Sequence, residues 1–167
     1  MIELAGLSRF TGLRFIGNGA YRDVFISEDQ KTVIKRPWED SGRRSNRREV
    51  YTFEASKDVR KRFTFEGKRF KVRLAEIVDY DRERCDWLQM EYVPNVGKIH
   101  IAAGVGVCFS CSGDTTNECD WDRCFTCVFN EWCQDEFGIF DVHMCNFGYQ
   151  PGRKEIVIVD YGYESFG

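Results

Sequence analysis

The chain has 167 residues, 43% of them hydrophobic and 31% charged, with a formal net charge of -3. That length supports one domain with a sizeable core and argues against a second globular unit, and no stretch approaches the roughly eighteen apolar residues of a membrane span. Met1-Ile2-Glu3-Leu4 has neither the basic start nor the apolar run of a signal peptide, so a soluble, cytoplasmic protein without a membrane partner is expected.

Residues 13–16 and 23–27 are β-prone runs flanking Gly17-Asn18-Gly19, the pattern of a glycine-turned hairpin, and residues 32–35 add a third strand ended by Pro37. A helix is predicted from Ser45 to about Lys57, capped by Ser45 and turning Val50, Phe53 and the stem of Lys57 inward. Residues 31–73 hold 15 basic and 6 acidic side chains, whereas residues 74–167 hold 6 and 17. Arg43, Arg44, Arg47, Arg48, Arg60, Lys61 and Arg62 read as a solvated helix face or as a guide for an acidic partner, and no nucleic-acid motif accompanies them. Residues 68–78 and 87–93 read as strands joined by the charged turn 79–84, which makes roughly five antiparallel strands with one helix after the third. Residues 94–119 are rich in Gly, Ser and Thr and read as an irregular connection. Helical periodicity returns from Asp120 to about Gln134, with Cys124, Cys127, Val128 and Glu131 on one face and Phe125, Phe129 and Trp132 on an adjacent one. A loop over 137–146 follows, then a hairpin turned at Pro151-Gly152-Arg153-Lys154.

Several residues on this scaffold carry chemistry that matters only in combination. Glycines such as Gly17 and Gly19 let backbone N–H groups approach phosphate oxygens, although many turns use two glycines for conformation alone. Lys35 stands on the strand beneath that loop and needs a carboxylate to fix its ammonium. Glu49 is the first candidate and Glu54 the second; five residues apart on a helix, they lie on different faces. Asp141-x-x-x-x-Asn146 lets one loop carry both a base and an amide ligand for Mg²⁺, and Asp160, after the run Ile156-Val157-Ile158-Val159 and before Tyr161-Gly162, offers a carboxylate to the same metal. The order of these five features along the chain is that of a phosphoryl-transfer site.

On those motifs the chain resembles the protein-kinase-like superfamily from Leu13 to Gly162. The resemblance implies an α+β fold, with residues 1–167 as a single kinase-like domain: an N-lobe over 1–90 of five antiparallel strands and one helix, a hinge over 91–93, and a much reduced C-lobe over 94–167. It implies ATP and Mg²⁺ as cofactors, Gly17, Gly19 and Val24 over the nucleotide, Lys35 paired with Glu49, Met90 as gatekeeper, and the backbones of Glu91 and Val93 as adenine partners. It also implies Asp141 as catalytic base and Asn146 with Asp160 as metal ligands. Departures accompany it. Arg22 or a neighbour stands where a third glycine belongs, and Ile139-Phe140 replaces the usual His-Arg. Asp141-Val142-His143-Met144-Cys145-Asn146 is similar to the Asp-x-His-x-x-Asn form of aminoglycoside and other small-molecule phosphotransferases, so His143 either assists phosphate or metal or is a hydrogen-bonded structural residue. The chain stops five residues after Gly162 with no Ala-Pro-Glu segment. Compact chains of this kind resemble kinases carried by phages and bacterial effectors.

Eight cysteines in a chain expected inside the cell argue against a disulfide framework. Cys108-x-x-Cys111 and Cys124-x-x-Cys127 have the spacing of a structural zinc site, while cysteine on an amphipathic helix also serves as a small buried hydrophobe. The functional expectation is an ATP/Mg²⁺-dependent phosphotransferase acting on a protein or small-molecule hydroxyl. Its alternative is a catalytically inactive kinase-fold binding protein. The acceptor and the oligomeric state are not specified by these residues.

Overall fold

In the computed structural model, which describes residues 9–107 and 123–162, the fold grows outward from the glycine turn. Strand β1 (Arg14–Asn18) pairs antiparallel with β2 (Arg22–Ile26), and β2 pairs antiparallel with β3 (Thr32–Pro37). The register slips between Phe15 and Gly17, and the Gly19 N–H closes the turn on the Arg22 carbonyl at 2.9 Å. A bulge of this kind increases local twist and re-aims the chain, here immediately before the loop. Next comes α1 (Asp40–Ser56), which packs on β3.

The hairpin β4 (Lys61–Phe65) and β5 (Lys68–Leu74) turns through Glu66 and Gly67, with φ of 46° and 75°. Two consecutive residues at positive φ make the tight turn whose twist matches that of the paired strands. Strands β6 (Ile77–Tyr80) and β7 (Leu88–Glu91) lead to the short helix α2 (Ile99–Ala103), and α3 (Phe125–Phe137) precedes β8 (Phe147–Gln150) and β9 (Glu155–Ile158). The β8–β9 turn is the expected one: Pro151–Arg153 form a single 3-10 turn, and Lys154 takes the left-handed conformation that reverses the chain.

The fold is α+β with two sheets. One is five-stranded and antiparallel in the order β1-β2-β3-β7-β6, and the other has the order β4-β5-β9-β8. In the second sheet β5 runs parallel to β9, from Lys71 opposite Glu155 to Leu74 opposite Ile158. The five-stranded antiparallel sheet with one helix after its third strand is therefore present, but the single strand expected over 68–78 divides. Its first part, β5, leaves for the second sheet, and only β6 joins the first. Strand β4, read from sequence as part of a basic run, is an addition.

The helices also differ from expectation in their limits and inward faces. Helix α1 begins at Asp40 with Glu39 as N-cap, so Ser45 lies inside it. Its buried residues are Gly42, Asn46, Glu49 and Thr52, while Val50 and Phe53 are only partly buried against the core. Helix α3 starts at Phe125 and turns Phe125, Thr126, Phe129 and Cys133 inward. Two aromatic rings there meet the second sheet edge-on: Phe65 lies 5.2 Å from Phe125 and Phe147 lies 5.0 Å from Phe129. Such edge-to-face pairs add to the area they bury. Ile26, Val33, Leu88 and Met90 of the first sheet share one core with Val72, Ile156 and Ile158 of the second. Among the described residues no helix is long and apolar enough to cross a membrane.

Candidate functional site

A cleft of about 750 Å³ opens between the β1–β2 turn, the segment after β7 and the loops around β8 and β9. Gly17 and Gly19 form its rim, and a Cβ built on either meets no atom within 4 Å. The glycines are not required by packing.

Val24, Val33, Met90 and Val93 supply apolar lining, and Glu91 and Tyr92 continue it past β7. Met90 and Val93 are buried. The segment is fixed by backbone bonds from the Glu91 N–H to the Glu76 carbonyl at 2.9 Å and from the Tyr92 N–H to the Lys31 carbonyl at 2.8 Å. Arg73 holds the Glu91 carboxylate through both terminal guanidinium nitrogens and donates from Nε to Glu155 at 3.1 Å. This buried fork ties β5 to the chain that lines the cleft.

The inner wall is a cluster of four ionisable groups. Lys35 Nζ donates to Glu49 Oε1 at 2.9 Å and Oε2 at 3.0 Å, and to the Val159 carbonyl at 2.6 Å. It stands 4.0 Å from Asp160 Oδ1. Glu54 is exposed and bonds Lys57 instead. Arg22 enters the same cluster: Nη2 donates to Glu49 Oε1 at 2.9 Å and to Asp160 Oδ1 at 2.8 Å, while Nη1 donates to Asn46 Oδ1 at 3.0 Å. Asn46 in turn donates to the Cys85 carbonyl at 2.9 Å, so both ends of its amide are used.

Burial pushes the Glu49 carboxyl above its ordinary range, against the pull of Arg22 and Lys35. Asp160 moves the other way. Desolvation opposes its charge, but Lys35 and Arg22 outweigh it and hold the carboxyl below its usual range. The charge of Asp160 adds to the upward push on Glu49, so the two carboxylates of one cluster are driven in opposite directions.

On the opposite side Asp141 adopts φ of 60°, a conformation rare for a residue with a Cβ. The loop that holds it there is pinned on both flanks. Ile139 and Val142 are buried, and the Val142 N–H donates to Asn130 Oδ1 of α3 at 2.7 Å. Asn146 Nδ2 donates to the Asp141 carbonyl at 3.0 Å, and the Asn146 carbonyl accepts from the N–H groups of Val159 at 2.7 Å and Asp160 at 3.3 Å. Asp141, Asn146 and Asp160 are therefore joined through Asn146. His143 is exposed and lines the cleft.

These residues fit a nucleotide and a hard cation. The Asn146 amide N–H₂ is engaged by the Asp141 carbonyl, which leaves its oxygen as the group to offer a cation, and both Asn146 and Asp160 line the cleft. Mg²⁺ takes few protein oxygens when phosphates and water supply the rest. Among the described residues no group of three or more His, Cys, Asp or Glu is placed to hold a metal ion. Of the cysteines considered for zinc, Cys124 is the buried N-cap of α3 and Cys127 is partly buried on it; Cys108 and Cys111 lie outside the described residues.

Gly17, Gly19, Val24, Lys35, Met90, Glu91, Val93, Asp141, His143, Asn146 and Asp160 all line this one cleft, with Glu49 directly behind Lys35. Two participants carried weaker signals. Arg22 was visible only as a departure from a glycine pattern. Asn46 was visible only as a polar residue three positions before Glu49, on the same helical face.

No protein-family model matches the chain, and no curated protein matches it significantly. Among solved structures it is similar to the streptomycin-ATP-APH(2″)-IIa ternary complex, at 21% identity and TM-score 0.38 over 55% of this chain and 27% of that one. The ADP-bound aminoglycoside phosphotransferase APH(2″)-Ib is similar at 20% identity and TM-score 0.37, over 58% and 30% of the two chains. The GDP and kanamycin complex of APH(2″)-IIia is similar at 11% identity and TM-score 0.41, over 92% and 67%. The matches span less than a third of the length of the first two proteins. From glycine turn through lysine strand and glutamate helix to the aspartate after β9, the elements follow one another in the order read from the sequence.

Proposed function

We propose that the protein is an ATP/Mg²⁺-dependent phosphotransferase acting on a hydroxyl of a protein or a small molecule. The observation that carries this reading is the Lys35–Glu49 pair on one wall of a cleft whose other wall holds Asp141 and Asn146. Lys35, fixed by the two bonds it donates to Glu49, would present its charge to phosphate under the open glycine rim. Asp141 would accept the proton of the attacking hydroxyl, and its exposed position leaves room for an acceptor. Asn146 and Asp160 would hold Mg²⁺, which when bound neutralises charge on the phosphates. Phosphoryl transfer rests mainly on positioning and charge stabilisation, and these residues supply both. Residues 1–90, 91–93 and 94–167 would serve as N-lobe, hinge and C-lobe of one domain.

The test is γ-labelled ATP with Mg²⁺ and a cell lysate containing protein and small-molecule acceptors. Label should transfer, and Asp141→Ala and Asp160→Ala should each abolish transfer. Absence of both label transfer and an ATP-dependent thermal shift would sink the reading. A second reading, a kinase-fold protein that binds nucleotide without transferring phosphate, is favoured by the Arg22 guanidinium seated on Asp160. A thermal shift with no transfer to any acceptor would select it.

A further inference from the structure

We propose that Arg22 is a resident counter-ion of Asp160, supplying from within the fold part of the charge neutralisation otherwise left to a divalent cation, so that nucleotide phosphates bind with little dependence on Mg²⁺. This inference rests on the nucleotide-site reading above and concerns one residue that the glycine-loop pattern does not account for.

Three observations converge on it. Arg22 begins β2 directly after the glycine turn, so its side chain leaves the loop that rims the cleft. Its Nη2 sits 2.8 Å from Asp160 Oδ1, nearer than Lys35 Nζ at 4.0 Å from the same oxygen. And Arg22 and Lys35 bring two fixed cations to a cluster that holds two carboxyl groups, Glu49 and Asp160. An Asp160 that depended on metal alone would have only the more distant Lys35 as a cation. Here an immobilised guanidinium already occupies that role, with Asn46 and Glu49 fixing its orientation.

Coupling between two ligands of one site is reciprocal. A cation held on Asp160 lowers the gain from adding a second, and removing it raises that gain. Arg22 is therefore a positioning residue with an electrostatic signature: it sets the ratio of nucleotide affinities measured with and without Mg²⁺. A purely structural residue would change both affinities together.

The experiment is ATP binding by isothermal titration calorimetry in Mg²⁺ and in EDTA, for the unmodified protein, Arg22→Gln and Arg22→Lys, with circular dichroism to verify folding. The unmodified protein should lose less than about tenfold in affinity in EDTA. Arg22→Gln should widen that ratio by about tenfold or more, and Arg22→Lys, which keeps charge without the fork, should fall between. Binding by the unmodified protein that disappears in EDTA overturns the proposal while leaving the nucleotide reading intact. Equal losses in both conditions for Arg22→Gln also overturn it, by making the residue structural. Absence of binding in either condition overturns the nucleotide reading itself. Should Arg22→Gln fail to fold, the ratio for the unmodified protein decides.

Discussion

Glu49 carries more of the structure than its partner Lys35, because it is the fully buried member and accepts from two cations. Glu49→Gln leaves Lys35 and Arg22 with Asp160 as their one carboxylate in the cluster, and removing the shared buried partner in this way costs about 3–5 kcal/mol. Lys35→Met leaves Glu49 still bonded to Arg22, so a smaller loss of about 1–2 kcal/mol is expected, the scale of the bonds removed. Urea denaturation of the two variants checks the order, and equal losses would contradict the role given to Arg22. Nucleotide binding should weaken in both. The cysteines offer a second residue-scale readout. Cys145 is exposed in the cleft lining, whereas Cys133 is buried in the core and burial pushes its thiol well above the usual range. Since the thiolate is the reactive form, iodoacetamide at neutral pH should modify Cys145 and spare Cys133 until the protein unfolds. Saturating ATP should slow modification of Cys145, followed by mass spectrometry of its peptide. Labelling indifferent to nucleotide would place the ligand elsewhere.

Helix α1 is held by its polar side, with Asn46 and Glu49 buried in hydrogen bonds and Gly162 pressed against it from the far end of the described chain. A Cβ on Gly162 would lie 2.5 Å from the Ser45 carbonyl oxygen and 2.9 Å from Glu49 Cγ. The first of these is backbone and cannot rotate away. Gly162→Ala should therefore separate α1 from the segment carrying Asp160 and cost about 1–3 kcal/mol, as overpacking does. It should also weaken ATP binding in calorimetry more than the distant Gly152→Ala, whose Cβ would meet nothing within 4 Å. That α1 would turn its polar side inward was not legible from periodicity, which reads apolar residues and so favoured Val50 and Phe53. The pairing of Glu49 with Lys35 was legible because a strand lysine and a helix glutamate have meaning together. Strand β4 had a usable signal in the alternation Phe63-x-Phe65 and Phe70-x-Val72-x-Leu74 about Glu66-Gly67. The basic residues Arg60, Lys61 and Arg62 obscured it, and Glu-Gly is a weaker turn signal than Asn-Gly or Asp-Gly. The parallel pairing of β5 with β9 joins segments more than eighty residues apart, and nothing local in either strand specifies such a partner.

That long-range pairing decides how the whole molecule should come apart. The boundary read from the hinge would divide the chain near residues 91–93, yet β5 lies before it and β9 after it in one sheet. Apolar residues of both sheets and of α3 meet in the same core, where Phe125, Phe129 and Phe147 are completely buried. A cleft set between two independently stable halves could lose one half and keep the other; a cleft whose walls share a core cannot. Phe129→Ala, in α3 and far from the ionised cluster in sequence, should therefore cost about 3–5 kcal/mol. In a chain of this size that lowers the melting temperature by about 10 °C or more. The loss should appear as one transition in which far-ultraviolet circular dichroism, near-ultraviolet circular dichroism and nucleotide binding fall together. Two separated transitions, with the β1–β2–β3 sheet outlasting α3, would show that the lobes fold apart. Cooperative loss would instead mean that the Lys35–Glu49–Asp160 geometry is maintained by the aromatic packing of α3 on the second sheet; Asn130 of that helix separately fixes the loop of Asp141. The same helix would then stabilise both walls of the cleft, one through the shared core and the other through a single hydrogen bond.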